Sequence, residues 1–339
     1  MPEYPTIYIT FGLFIMSDEN PIAKLGDLTK PATVLIEKIS DAVGGVFKPY
    51  QIVRIAKAEA EASQIQAESQ IQVTDLHRRA MHRFLEEEAK KQSNIEAITQ
   101  NALPLLEDRS APENVADDWI TNFFDKSRIV SDEEMQSLWS RVLAGEANSP
   151  GAFAKRTVNL LADLDKEDAI LFVKLCGFGW MIGNVVPLIF DVQASIYNDQ
   201  GINFNSLSHL ESLGLIQFNH LSGFRRLGLP KSATVFYYGQ AVTLSFPKDA
   251  DNDLELGKVL LTRAGQQLAH VCGSKPVDGF FEYVKEKWVA KSLLPKPETE
   301  SGSQELLTPG PHTTHRAGPQ WAVQQVGALD EALPFFFAV

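Results

Sequence analysis

The apolar positions of this chain recur mainly at helical spacing, and they predict a series of amphipathic helices. Between residues 31 and 47 they fall at i, i+3, i+4, i+7, i+11 and i+14, and Pro31 stands at the first helical position. The apolar face of this predicted helix carries Leu35, Ile36, Ile39, Val43 and Val46. The two interpretations are a membrane-surface face and a helix-docking face, and the mixed charges of the polar side favour docking.

A long polar helical region follows. Residues 58–98 contain no Pro or Gly and are rich in good helix formers, so they predict one or two long helices. Their thin apolar seam consists of Ile65, Ile71, Leu76, Ala80, Phe84, Ile95 and Ile98. Such a seam is typical of a helix completed by another chain, and hence of an oligomer, or of a solvated arm on its own domain. Arg78, Arg79 and Arg83 precede three glutamates, which favours local ion pairs over a nucleic-acid patch.

The middle of the chain predicts a compact helical unit. Ser131 with Glu134, and Asp165 with Asp168, have the spacing of helix N-terminal capping boxes, and each pair precedes an apolar stripe. Two more stripes follow Asn114 and the Pro150-Gly151 break. The weakly charged run of residues 175–190 predicts a buried helix followed by a strand.

The last third of the chain has a different pattern. A short helix ending at Gly214 is followed by a strand, an alternating hairpin over residues 233–246, a strand at Val259 and a helix capped by Thr262. This order is typical of a winged-helix unit. The expected fold class is therefore mainly α, a helical bundle with a long helical arm and a C-terminal winged-helix-like α+β unit.

The expected domain organisation has five consecutive segments. They are a disordered or misassigned start (1–20), the amphipathic helix and long arm (21–106), a helical core domain (107–192), a winged-helix-like domain (193–290) and a disordered tail (291–339).

Charge and cysteine content narrow the functional classes. The chain has 339 residues and a net charge of -12, and the stretch from Glu107 to Asp168 holds twice as many acidic as basic residues. Such a field repels phosphate backbones, so general nucleic-acid affinity is disfavoured there. Cys176 and Cys272 are far apart in the sequence and stand in apolar runs, which indicates reduced core residues. We expect a cytoplasmic protein, peripheral at the inner membrane if residues 31–47 bind lipid.

The sequence shows no convergent set of nucleophile, base and donor. His77 and His82 point to different sides of a predicted helix, so they do not form a zinc site. We therefore expect no catalytic residue, metal, cofactor or small-molecule substrate, although an enzyme assembled from scattered loops stays open. The one candidate anion or nucleic-acid contact is the basic cluster of Arg225, Arg226 and Lys231.

Several motifs carry a resemblance to a known family. They are the run Leu138 to Glu146, which ends in Leu-Ala-Gly-Glu, the Pro150-Gly151 pair and the segment from Leu261 to Gly265. Through them the chain resembles, over most of residues 16–288, an uncharacterised bacterial family whose shared domain has no known function. Similar and more distant proteins, including abortive-infection proteins, occur in phage-defence regions, and that resemblance names no reaction.

Two functional hypotheses follow from the sequence. The first is a non-enzymatic interaction or sensor protein that binds a protein partner or forms a homo-oligomer, with a role in phage defence implied by the resemblance. The alternative is a winged-helix DNA-binding transcriptional regulator.

Overall fold

The computed structural model of the chain describes residues 28–44 and 75–295. The predicted start, the seam residues Ile65 and Ile71, the face residue Val46 and the tail from residue 296 lie outside the described residues. About 53% of the described residues are helical and 16% are in strands, so the prediction of a mainly α fold is wrong. The strands occupy the second half of the described chain and form antiparallel sheets.

Helices make up the first half of the described chain, and strands alternate with shorter helices in the second. The helices are α1 (Lys30–Val43), α2 (Asp75–Ala102), α3 (Asp117–Ser127), α4 (Glu133–Asn148), α5 (Lys155–Ala162), α6 (Lys166–Cys176), α7 (Ser195–Asn198), α8 (Phe204–Ser212), α9 (Arg263–Ala269) and α10 (Phe280–Ala290). The strands are β1 (Gly179–Ile182), β2 (Asn184–Pro187), β3 (Ile216–Phe218), β4 (Phe224–Leu229), β5 (Ser232–Tyr237), β6 (Gln240–Ser245), β7 (Asn252–Gly257) and β8 (Val259–Leu261).

Two compact units divide the described chain. The first unit takes the residues up to Cys176 together with Ser206–Ile216 and Leu261–Ser274. The second takes Gly177–Asn205, Gln217–Leu260 and the residues from Lys275. Each unit thus combines stretches that are distant in the sequence, whereas the predicted domains were consecutive segments.

The first unit is a helical bundle with an aromatic core. Helix α1 packs against α3, α2 against α4, and α5 against both α3 and α9. Within the core, the ring of Phe123 stacks on Trp119 and meets Trp139 edge-on, each at a centroid distance of 5.1 Å. These are residues of the stripes that the sequence predicted as buried faces, because a face at helical spacing is stable in water only when another element covers it.

The helix starts show which polar residues act as caps. The N-cap of α4 is Asp132, whose Oδ1 accepts hydrogen bonds from the N–H groups of Glu134 and Met135, so the predicted Ser131 box is displaced by one residue. The predicted cap of α9 is confirmed, since Thr262 Oγ1 accepts from the N–H of Gly265 at 3.1 Å. Such caps satisfy N–H groups that have no partner inside the helix.

The second unit is built on a four-stranded antiparallel sheet of order β2-β1-β5-β6. Strands β1 and β2 form a hairpin around Gly183, where the sequence predicted the end of a helix and one strand. The fully buried rings of Trp180, Tyr237 and Trp288 pack together over this sheet. Strands β4 and β7 pair separately, as do β3 and β8.

The predicted winged-helix unit is wrong. The hairpin over residues 233–246 does form, as β5 and β6, but β5 pairs with β1 through Met181 and Phe236 instead of serving as a wing. Strand β3 pairs with β8, which lies about forty residues later in the chain. Local alternation sets which residues form a strand, whereas the partner of that strand depends on long-range hydrogen bonds that the pattern does not encode.

Candidate functional site

The most distinctive surface of the described chain is the first half of α2. In its second half the side chains of Ile95, Ile98 and Ala102 are buried, and this half packs against α4. In its first half Leu76 is 66% exposed and Phe84 is 57% exposed. The helix therefore starts as a solvated arm and ends as part of the core.

The exposed and buried parts of α2 lie on the same side of the helix. Eighteen residues make five complete turns, so Ala80 points in the same direction as Ile98, and Phe84 in the same direction as Ala102. Ile98 and Ala102 are fully buried, whereas Ala80 and Phe84 are exposed. We call the exposed row of Leu76, Ala80 and Phe84 the arm face. It continues, without a neighbouring element of the described chain, the face that anchors α2.

A buried polar network fastens α2 to the body of the first unit. The Nδ2 of Asn94 donates to the carbonyl of Arg128 at 2.8 Å and to Ser131 Oγ at 3.2 Å. The Nε2 of Gln136 donates to Asn94 Oδ1 at 3.1 Å and to the carbonyl of Val130 at 2.9 Å. Asn94 lies five turns after Leu76, so it is on the same side of the helix as the arm face and as the buried Ile98 and Ala102.

The charges of the arm are arranged in two blocks. Three arginines at 78, 79 and 83 are followed by three glutamates at 86, 87 and 88. Arg83 pairs with Glu87 at 3.5 Å, as the sequence predicted, whereas Arg79 pairs with the preceding Asp75 at 3.0 Å instead of with a glutamate. All four side chains are more than half exposed, so these pairs contribute little to stability.

The Leu-Ala-Gly-Glu motif has a structural explanation in α4. The carboxylate of Glu146, only 3% exposed, accepts hydrogen bonds from the N–H of Gly151 at 2.7 Å and of Phe153 at 2.8 Å. It thereby closes the Pro150-Gly151 turn onto the helix. Burial raises the pKa of Glu146, while the two backbone hydrogen bonds lower it, and burial is the larger effect.

A shallow cleft of about 400 Å³ opens beside this turn. Its lining includes Trp119, Glu146 and Gly151, with Asp118 and Lys155 paired at the same place. The hydrogen bond from Lys155 holds the pKa of Asp118 below its usual range. Both oxygens of Glu146 accept hydrogen bonds from backbone N–H groups. This carboxylate therefore stabilises the turn and is not available as a base.

The two cysteines lie together, although 96 positions separate Cys176 from Cys272 in the sequence. The Cys176 thiol donates a hydrogen bond to the sulfur of Cys272, and both side chains are buried. That hydrogen bond, those from Ser274 and the nearby guanidinium of Arg141 lower the pKa of Cys272 to about 7. Burial, with the neighbouring Cys272, raises the pKa of Cys176 well above its usual value. The prediction of reduced core cysteines is confirmed, and the structure adds that the two side chains interact and that the pKa of Cys272 is lowered.

Each of the predicted anion-binding residues has an acceptor within the described chain. Arg225 is paired with Asp253, and Lys231 is paired with Asp249 at 2.7 Å. The guanidinium of Arg226 lies over Gly183 and donates to the carbonyl of Ile182, and burial lowers its pKa. The structure therefore gives each of the three cations its own protein acceptor.

The predicted face of α1 is used inside the chain. Leu35 and Ile39 are completely buried and Ile36 and Val43 are half-buried, while Val46 lies outside the described residues. Helix α1 packs with this face toward α3, and Lys38 donates to the carbonyl of Glu113 at 3.0 Å. Within the part of the chain that the structure describes, no helix has the length and apolar character needed to cross a bilayer.

The sequence pattern indicated some of these features and missed others. The seam through Leu76, Ala80 and Phe84 was predicted, but its division into a buried and an exposed half was not. The role of Glu146 was missed, although its position gives a signal: it lies seven residues after Trp139, on the apolar stripe of α4. The pairing of the cysteines had no signal in their spacing.

Comparison with known proteins adds one family. No curated protein matches the chain, and no solved structure does. Residues 78–285 match the model of a protein family described as protein of unknown function (DUF2806). The match includes most of the arm, the Leu-Ala-Gly-Glu turn and both cysteines, and it covers more than half of the chain. The chain therefore belongs to the DUF2806 family of proteins of unknown function.

Proposed function

We propose that this chain is a non-enzymatic interaction protein of bacteria, which binds a protein partner through the arm face of α2. One observation carries the proposal. A single side of one helix is buried at Ile98 and Ala102 and exposed at Ala80 and Phe84. A projecting helix with an apolar row is suited to docking against another protein, as in helix-in-groove recognition.

The energetics of the arm favour binding. Complete burial of a side chain such as Leu76 or Phe84 stabilises a complex by about 1.5–3 kcal/mol. The arm is already helical and is anchored by the Asn94 network, so binding does not have to order it. Preorganisation of this kind leaves more of the burial energy as affinity.

Three polar groups whose pKa the fold shifts support the same proposal. Glu146 closes a turn, Arg226 is held by the carbonyl of Ile182, and Asp118 is paired with Lys155. Each of these groups has a structural partner in the chain. A DNA-binding role depended on a winged helix and on a free basic cluster, so we do not propose it.

The setting in the cell forms part of the proposal. The resemblance to abortive-infection proteins supports a role in phage defence, in which the arm would report infection through a change of partner. We place the protein in the cytoplasm, and the burial of Leu35 and Ile39 on α3 supports protein packing over lipid binding for α1. Plating of phage on cells with and without the Phe84→Glu variant tests the defence role.

Photo-crosslinking in living cells tests the docking function directly. A photoreactive amino acid at position 80 of the full chain lies on the arm face, whereas one at position 129 replaces Ile129, which is 69% exposed and lies on the loop after α3. We expect a discrete adduct from position 80 and none from position 129. Phe84→Glu should remove the adduct because it places a charge in the contact.

The matched control is Ile129→Glu, which changes an exposed apolar residue away from the arm and should leave the adduct unchanged. Far-ultraviolet circular dichroism of both variants verifies that they fold. Equal labelling from positions 80 and 129, or no adduct from either, would overturn the proposed function.

A further inference from the structure

The order of charges along the arm restricts what can pair with it. From Leu76 to Leu85 the only charged residues are Arg78, Arg79 and Arg83, and the next three residues are Glu86, Glu87 and Glu88. The arm is therefore positive in its first part and negative in the following turn. A partner that lies along the arm face with the opposite order of charges would be attracted over the whole length.

A second copy of the same arm has that opposite order when it runs antiparallel. In a parallel pair in register, arginines would face arginines and glutamates would face glutamates. In an antiparallel pair that crosses at Arg83, Arg79 of one arm is level with Glu87 of the other, and Arg78 is level with Glu88. Arg79 and Glu87 lie beside the arm face, so the two-fold axis gives two opposite-charge contacts across the interface. Arg78 lies on the far side of the helix and adds only to the long-range attraction.

The side-chain positions agree with this crossing. Arg79, Arg83 and Glu87 are four residues apart and form a row beside the arm face, as the Arg83 to Glu87 ion pair shows. Two-fold symmetry places this row against the same row of the second copy, with Arg79 toward Glu87 on both sides of the axis and Arg83 toward Arg83 at the axis. At this crossing the exposed Ala80 and Phe84 of the other arm lie within about 3 Å of each other along the axis, so the small side chain leaves room for the large one.

We propose, building on the docking function above, that the arm face binds a second copy of this chain in an antiparallel helix pair crossing near Arg83. The exposed part of the arm, residues 75–90, is about 24 Å long at 1.5 Å per residue. An interface of that size is below the range of permanent dimers. The dimer is accordingly concentration-dependent and weakens as added salt screens its charge pairs.

Charge reversal tests the electrostatic part of the proposal. In the full chain, Arg78→Glu with Arg79→Glu leaves Arg83 as the only basic residue from Leu76 to Glu88, and Glu87→Lys with Glu88→Lys leaves Glu86 as the only acidic one. Sedimentation analysis should show each variant monomeric at concentrations where the unchanged protein is dimeric, and an equimolar mixture should recover the dimer. A dimer that both reversals leave intact would overturn the proposal.

Disulfide trapping tests the orientation. Arg79→Cys and Glu87→Cys are made in separate full-length chains, and each is oxidised alone and in a mixture. An antiparallel pair crosslinks the mixture and leaves each single variant uncrosslinked, because equivalent positions lie about 12 Å apart along the axis, too far for a disulfide. Crosslinking of each variant with itself indicates a parallel pair and would overturn the antiparallel arrangement.

The outcomes separate this inference from the proposed function. A full chain that stays monomeric at all concentrations removes self-pairing. If position 80 is then crosslinked to a different protein, the docking function still stands. If it is crosslinked to another part of the same chain, that part covers the arm face. The loss of both the dimer and every adduct removes both proposals.

Discussion

The carboxylate of Glu146 accepts a hydrogen bond from the N–H of Phe153 at 2.8 Å, and the ring of Phe153 in turn covers Gly145. This relationship explains why glycine and glutamate stand side by side in the Leu-Ala-Gly-Glu motif. The glutamate holds the turn by its backbone, and the glycine leaves room for the ring that the turn brings back. The motif therefore stabilises the packing of the turn against the helix within the first unit.

Replacement of Glu146 by Gln should destabilise the protein by about 1–3 kcal/mol, because one of the two backbone N–H groups loses its acceptor. The effect depends on pH. The folded protein raises the pKa of Glu146 above its usual 4.5, so its contribution is fully present below that value and is lost as the pH rises through the folded pKa. The difference between the two proteins should therefore decrease as pH increases.

Urea unfolding of the unchanged protein and of Glu146→Gln, at a series of pH values from acid to neutral, measures this difference. All other titrations are common to both proteins and cancel. A destabilisation that grows with increasing pH would show that the pKa of this carboxylate is lowered on folding.

Gly145→Ala should lower the free energy of unfolding by about 1–3 kcal/mol, the usual cost of overpacking a core. The added Cβ would lie 2.7 Å from Cε2 of Phe153 and 3.5 Å from Val271. In a helix without such a contact the same substitution stabilises by up to about 1 kcal/mol, so the sign of the change is informative. Thermal unfolding gives the sign, and Phe153→Leu combined with Gly145→Ala should recover part of the loss.

The cysteine pair should release one proton near neutral pH. The pKa of Cys272 is about 7, and the hydrogen bond from Cys176 is the largest cause of its lowering. Ultraviolet absorbance of the thiolate should therefore show one thiolate forming near pH 7 in the native protein. In Cys176→Ala this transition should move to higher pH, because the donor is lost.

Cys272→Ala is the control for this titration and should remove the transition. An unchanged midpoint in Cys176→Ala would mean that the thiols do not interact in solution.

The Asn94 network should contribute to stability and leave the arm face unaffected. Asn94→Ala removes a donor to the carbonyl of Arg128 and an acceptor for Gln136, and it should cost about 1–3 kcal/mol. Chemical denaturation measures the cost. The photo-crosslink from position 80 should persist, since Asn94 is buried in the body; a loss of adduct at full folding would show that the anchor and the arm are coupled.

The helical part of the fold could be predicted because its signal is local. An apolar stripe such as Val115, Trp119 and Phe123 can be recognised from the sequence of a single helix. The structure buries all three side chains. The cap of α4 was displaced by one residue because Ser131, Asp132 and Glu133 all have side chains that suit a helix start. There the backbone geometry, and not the residue type, selects Asp132.

The sheet topology could not be predicted because its contacts are distant in the sequence. The pairing of Met181 with Phe236 joins strands more than fifty residues apart, and a hairpin motif gives no information about its third strand. The same limit applies to the candidate site. The arm face was visible as a thin seam, but only the structure shows that the seam is covered at Ile98 and open at Ala80.

The binding of a second copy of the chain by the arm face can be measured as the solution mass of the full-length protein over a range of concentrations. We expect a monomer–dimer equilibrium that Phe84→Glu weakens by about tenfold or more, because Phe84 is a buried aromatic anchor in the dimer. The matched Ile129→Glu protein should behave as the unchanged protein. One constant mass for all three proteins, or equal dimerisation in all three, would contradict the claim.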